Sequence, residues 1–201
     1  QIRFKDDEGK EFPEWEIKKL GTVSDVRDGT HDSPKYIQNK GYPLITSKNL
    51  MKNGKLDFDN VNLISAFDYE QISRRSGVSV GDILFGMIGT IGNPVIVEQD
   101  NFAIKNVALI KEKDKLINRF LIFLLKSDFI ENQFHVKNAG GTQKFIALGV
   151  IRELDVLFPS LAEQTKIAEF LTAIDAKIAV VSAQVAAAKG FKKGLLQQMF
   201  V

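Results

Sequence analysis

The sequence predicts an α+β fold. A globular domain with a small, mostly antiparallel twisted sheet and flanking helices is expected over residues 1–158, and a long coiled-coil-forming α-helix over residues 159–201. Three observations lead there. Short β-rich runs bounded by Gly, Asn and Asp recur through the first part of the chain. One internal stretch carries apolar side chains near helical spacing. The last forty residues carry an apolar stripe that advances by alternate steps of four and three. With 201 residues, 44% of them hydrophobic and 15 Phe, the chain can bury a sizeable core.

In chain order, residues 1–13 are polar and read as a lead-in, and Trp15, Ile17 and Leu20 open the packed domain. Strands are expected over 23–27, 42–46 and 56–64, with a short helix over 67–75 after Ser65. Residues 82–88, 94–98 and 104–111 read as an antiparallel meander, separated by Gly-Thr-Ile-Gly-Asn and Gln-Asp-Asn. Leu116, Phe120, Phe123, Leu124 and Ile130 place a largely buried helix over 116–134. A Gly-rich loop (138–142), a helical turn near 145–150 and a strand over 153–158 close the domain.

Ser160 and Glu163 then form an S-x-x-E capping box, with Pro159 just outside. The stripe that follows is Ile167, Leu171, Ile174, Ile178, Val181, Val185, Ala188, Lys192, Leu195 and Met199, broken only by Lys192. At 1.5 Å per residue this helix is roughly 60 Å long, more than the preceding domain can cover, so the stripe calls for a partner helix. Gly190 and Gly194, each about 1 kcal/mol less favourable than Ala, weaken its final turns.

Composition removes several chemistries. The absence of Cys excludes a disulfide framework, a Cys-based zinc site, an iron–sulfur cluster and a thiol nucleophile. The longest purely apolar run near the middle, which contains Leu121 to Leu125, is far short of a bilayer span, and no charged-then-apolar leader opens the sequence. A cytoplasmic, unanchored protein is expected, and Gln at position 1 reads as a piece of a longer chain. Lys and Arg number 27 against 25 Asp and Glu, a weak basic balance for a nucleic-acid binder. The charge is uneven, however: residues 33–56 hold five lysines and no acid, and residues 133–151 hold Lys137 and Lys144 and no acid. Two such stretches make a positive surface if the fold brings them together.

Catalytic constellations are missing. Gly86, Gly89 and Gly92 lack the G-x-x-x-x-G-K-[ST] order of a phosphate loop and read as a turn between strands. Glu14, Glu16 and Lys18 are too close in sequence to supply carboxylates from two strands around one Mg²⁺. His31 and His135 lie in unrelated loops, so neither a metal site nor a Ser-His-Asp triad is supported. No Asn-Pro-Pro-aromatic loop suggests an aminomethyltransferase.

The order of segments resembles the specificity subunit of type I restriction–modification systems over nearly the whole chain. The resemblance rests on Trp15 to Gly21, Gly81-Asp82-Ile83-Leu84-Phe85, Gly140 to Ile146, Phe158 to Leu171 with Asp175, and Lys193 to Phe200. It implies one half of a subunit: a target-recognition domain and a conserved helix that pairs antiparallel with a second helix, as a spacer between two half-sites on DNA. Such a unit is non-catalytic. Its expected partners are double-stranded DNA, a modification (methyltransferase) subunit, a restriction/motor subunit, and a second half or a second copy joined through the helix, with no membrane. The chain itself is expected to bind no cofactor or metal; S-adenosylmethionine, ATP and Mg²⁺ are expected on the partners. Lys35, Lys48, Lys52, Lys55, Lys137 and Lys144 are the phosphate candidates, Gln38, Asn39, Ser47, Asn49 and Gln143 the base-edge candidates, and Arg74 and Arg75 a possible fork onto phosphate or guanine. A natural half-subunit and either half of a two-domain chain stay open. So do a recognition unit of a fused restriction–methylation enzyme and a coiled-coil adaptor that does not touch DNA.

Overall fold

The computed structural model describes residues 3–113, 115–137 and 145–200, without the side chains of 135 and 137. Uninterrupted apolar runs such as Ile83-Leu84-Phe85 and Val107 to Ile110 suit strands covered on both faces, and they form the centre of the domain. Strands β1 (Glu16–Lys19) and β2 (Asp25–Asp28) flank helix α1 (Leu20–Val23). Next come β3 (Tyr36–Ile37), β4 (Tyr42–Ile45), a 3₁₀ turn (Ser47–Asn49), β5 (Asn62–Ile64) and α2 (Ala66–Ser76). Strands β6 (Ile83–Gly86), β7 (Gly92–Ile96), β8 (Ala103–Ile104) and β9 (Val107–Lys111) precede α3 (Asn118–Leu125) and α4 (Asp128–Lys137). Helix α5 (Leu148–Arg152), β10 (Asp155–Phe158) and α6 (Leu161–Met199) complete the order.

The central sheet runs β2-β9-β6-β7, antiparallel throughout. Ile83, Phe85, Ala108 and Ile110 pack toward α1, α3, α5 and the start of α6, while Leu84, Val107 and Leu109 pack against the second sheet through Ile45, Leu50 and Ile104. That second sheet, β3-β5-β4-β8, has one parallel pair, β4 with β8. Helix α2 covers its far side, where Tyr69 stacks on Tyr42 with ring centroids 4.0 Å apart. Helices, sheet, sheet and helix therefore form successive layers.

Three sequence expectations need correction. The 82–111 region is not a meander: β9 pairs with β6 rather than β7, and β8 leaves to join the other sheet. Both strands of the central pair are apolar on both faces, so each needs a neighbour on either side. The helix expected over 116–134 is two helices; Lys126 caps the first, and the amides of Ile130 and Glu131 restart on the Ser127 carbonyl. Of 56–64 only 62–64 is strand, because the Asp57 carboxylate accepts from the Asp59 and Asn60 amides and turns the chain. Helix α6 runs unbroken through Gly190 and Gly194.

The lead-in is fastened rather than loose. β1 pairs antiparallel with β10, which delivers the N-terminal segment to the start of α6. Ser160 Oγ caps the helix by accepting from the Glu163 amide. The Glu163 carboxylate, fully buried, does not turn back to close the capping box. It accepts from Arg3 Nε at 2.9 Å, Arg3 Nη2 at 3.0 Å and Trp15 Nε1 at 2.8 Å. Lys166 Nζ donates to the Lys5 carbonyl and Asp7, and Phe4 meets Phe170 edge-on. Glu163→Ala removes the shared acceptor from a guanidinium and an indole at once. The expected result is a lower melting temperature and new protease cleavage within residues 3–15, read by a thermal scan and limited proteolysis.

Candidate nucleic-acid interface

One end of the central sheet brings together parts of both stretches that the charge pattern singles out. Asp28 faces Ala108, and Gly86 faces Val107 and Gly92, so the connections after β2 and β6 and before β9 leave from the same edge. The second sheet joins at that edge, where the Lys105 amide donates to the Ile45 carbonyl. Ser47 knots three of these segments together: its hydroxyl donates to the Asn106 carbonyl and accepts from the Met87 and Ile88 amides, at 3.0–3.3 Å. On the other side, Phe145 bridges to Ile88 and the Ile146 amide donates to the Met87 carbonyl at 2.8 Å. Both acid-free stretches thus reach the β6–β7 connection from opposite flanks. Residues 83–97, between them in space, contain no charged side chain at all.

Asp28, the acid at the end of β2, is neutralised. Burial alone would raise the Asp28 carboxyl, but hydrogen bonds from His31 and Arg75 and their charges outweigh it and hold Asp28 below the usual carboxylate range. His31 presents Nδ1 to Asn106 Oδ1 at 2.7 Å and Nε2 to Asp28 at 2.8 Å. These two acceptors raise the imidazole above its ordinary value. Lys105 Nζ donates to Ser33 Oγ and tacks the 29–35 loop to the same edge.

Lys48 is exposed at the head of the 3₁₀ turn, and Lys35, Gln38 and Asn39 are exposed on the excursion around β3. Ser47 and Asn49 do not face solvent. Asn49 accepts from the Thr46 amide and hydroxyl and donates to the Asp57 and Asn60 carbonyls, so the turn points two of its three polar side chains inward and only Lys48 outward. Arg75 is engaged by Asp28, and Arg74 reaches Gln71 of its own helix. Lys52 and Lys55 line a cleft beside α6 with Lys126 and Asp175, and Ile91 and Gly92 at the end of the β6–β7 connection form part of its wall. Lys137 is the last residue of α4, and Gln143 and Lys144 lie outside the described residues. His31, Lys105, Asn106 and Ile88 belong to this edge and were not singled out by sequence. No group of three metal-ligating side chains occurs among the described residues.

The helical stripe divides in two. Ile167 packs on the domain core and Leu171 is half-buried, whereas Ile174, Ile178, Val181, Val185, Leu195 and Met199 are exposed, and Ala188 with them. Its most apolar window has a mean hydropathy of 1.5, which by length and composition alone would also suffice to cross a bilayer.

A domain that collects uncharged and basic loops at one sheet edge, joined to a long helix with an uncovered stripe, defines a recognition module carrying a pairing element. The chain belongs to the type I restriction modification DNA specificity domain family, whose sequence model matches residues 13–187. Among curated relatives, a Methanocaldococcus jannaschii protein provisionally named the type I restriction enzyme MjaX specificity subunit is 28% identical over 98% of this chain and 48% of its own length. The type I restriction enzyme MjaVIII specificity subunit of the same organism is 27% identical over 86% of this chain and 42% of its own length. The HsdS subunit from Thermoanaerobacter tengcongensis shares the fold, with a TM-score of 0.63 at 20% identity over 94% of this chain and 49% of that one. The chain thus spans about half the length of the relatives it matches.

Proposed function

We propose that this chain supplies sequence-specific recognition of double-stranded DNA to a type I restriction–modification complex, as a specificity subunit or half-subunit. It directs adenine methylation and cleavage that partner subunits carry out. The observation that carries this reading is the meeting of both acid-free stretches at the β6–β7 connection. Exposed lysines there fix the phosphates, and side chains on the same loops meet base edges. S-adenosylmethionine chemistry falls to the modification subunit, and ATP- and Mg²⁺-dependent translocation and cleavage to the restriction subunit, in the cytoplasm. The exposed stripe of α6 takes a second helix, from another copy or a second half, in preference to lipid. Its four-and-three periodicity runs one continuous apolar stripe along the helix, flanked by Ala, Gln and Lys, while Phe170, Val180, Phe191 and Leu196 lie off it. The test is binding to a random-sequence duplex at low salt. Micromolar affinity that falls steeply as salt rises supports DNA recognition; no binding at low salt leaves only a coiled-coil adaptor.

A further inference from the structure

The residues assigned to DNA so far are all polar or charged; none of them explains an exposed apolar pair at the same edge. Met87 is buried and Thr90 half-buried, but Ile88 between them is 38% exposed, and Phe145, its bridge partner, is 45% exposed. The connection that carries Ile88 is stiff. Its base is held by the Ser47 hydroxyl on two amides and by the Ile146 amide on the Met87 carbonyl. Gly86 sits so close to the Thr90 carbonyl that a Cβ would lie 2.2 Å from that oxygen, and Gly89 and Gly92 take left-handed φ of +74° and +86°. At Gly89 nothing lies within 4 Å of where a side chain would project, so the tip is open. A rigid two-stranded tip without charge, flanked by lysines, has the dimensions to enter a major groove.

We infer that the β6–β7 tip is the groove-entering element, and that Ile88, supported by Phe145, reads a thymine through its C5-methyl group. This rests on the DNA reading above and names a specificity residue within it. Apolar contact with that methyl is the way an uncharged side chain tells T·A from the other pairs. The lysines around it position phosphates and carry no sequence information.

The experiment is a double-mutant cycle on binding. The motif methylated by the chain together with its modification subunit is first read from host DNA. Duplexes carrying that motif are then made with each thymine in turn replaced by deoxyuridine, which lacks only the methyl. Wild-type complex should bind one substituted duplex about fourfold or more weakly, the value of one buried methyl. Ile88→Ala should bind the thymine duplex more weakly by a similar factor and lose the distinction between thymine and deoxyuridine at that position, while its melting temperature stays close to wild type. An Ile88→Ala complex that keeps the wild-type ratio at every position overturns the inference, as does a wild-type complex indifferent to every substitution. A wild-type complex that methylates no common motif removes the DNA reading itself, and this inference with it.

Discussion

Aspartate at both Ile174 and Ile178 should leave the chain monomeric. Both side chains lie on the exposed part of the α6 stripe, 37% and 57% exposed and outside the buried core, so the domain loses little packing when they change. In the paired state the same positions face a partner helix, and two carboxylates per chain would be taken out of water without counter-charges. Several kcal/mol per unpaired charge and tenfold per 1.4 kcal/mol weaken association on the order of a thousandfold or more. Light scattering at micromolar concentration reads the mass directly. A double variant that keeps the parent oligomer contradicts the pairing helix, and one that unfolds shows that the stripe belongs to the domain.

Removing the lysines of the sheet edge should change how DNA binding depends on salt, and not only its strength. Lys35 and Lys48 are exposed there, and Lys105 is tied to the same edge through Ser33. If each neutralises one phosphate, the slope of log K against log salt falls by about 0.9 per residue, close to three for the triple alanine variant. Lys52, Lys55 and Lys126 form the comparison, since they line the cleft beside α6 and take no part in the hydrogen bonds of the Ser47 knot. Their triple alanine variant should keep nearly the wild-type slope. The reverse outcome moves the phosphate track from the sheet edge to the cleft.

The long helix and the strands of the central sheet were legible because their signals are local. A four-and-three stripe and runs such as Ile83-Leu84-Phe85 need no knowledge of the rest of the chain. Strand order was not legible, since β9 chooses β6 over β7 through burial on both faces of the sheet. The anchoring of residues 3–15 was equally hidden. Arg3 and Glu163 are 160 positions apart, and the S-x-x-E pattern had already given Glu163 a local partner. At the basic edge, composition located the loops but could not say which way side chains point. Ser47 and Asn49 turn inward, where their hydrogen bonds hold the turn that exposes Lys48. His31 read only as a loop residue, and its tie to Asn106 joins positions 75 residues apart in sequence.

In the proposed function, one recognition domain paired through its helix with a second copy or a second half reads DNA for methylation. Two copies related by a two-fold axis present the same reading edge twice, in opposite directions, at a separation fixed by α6. Mapping methylated adenines in a host that expresses this chain with its modification subunit tests this most directly. The predicted result is a single bipartite motif with two halves across a constant spacer, inverted repeats when the partner is a second copy and unlike halves when it is a second domain. Methylation with no shared motif, or at one half-site with no second half at a fixed spacing, would contradict it.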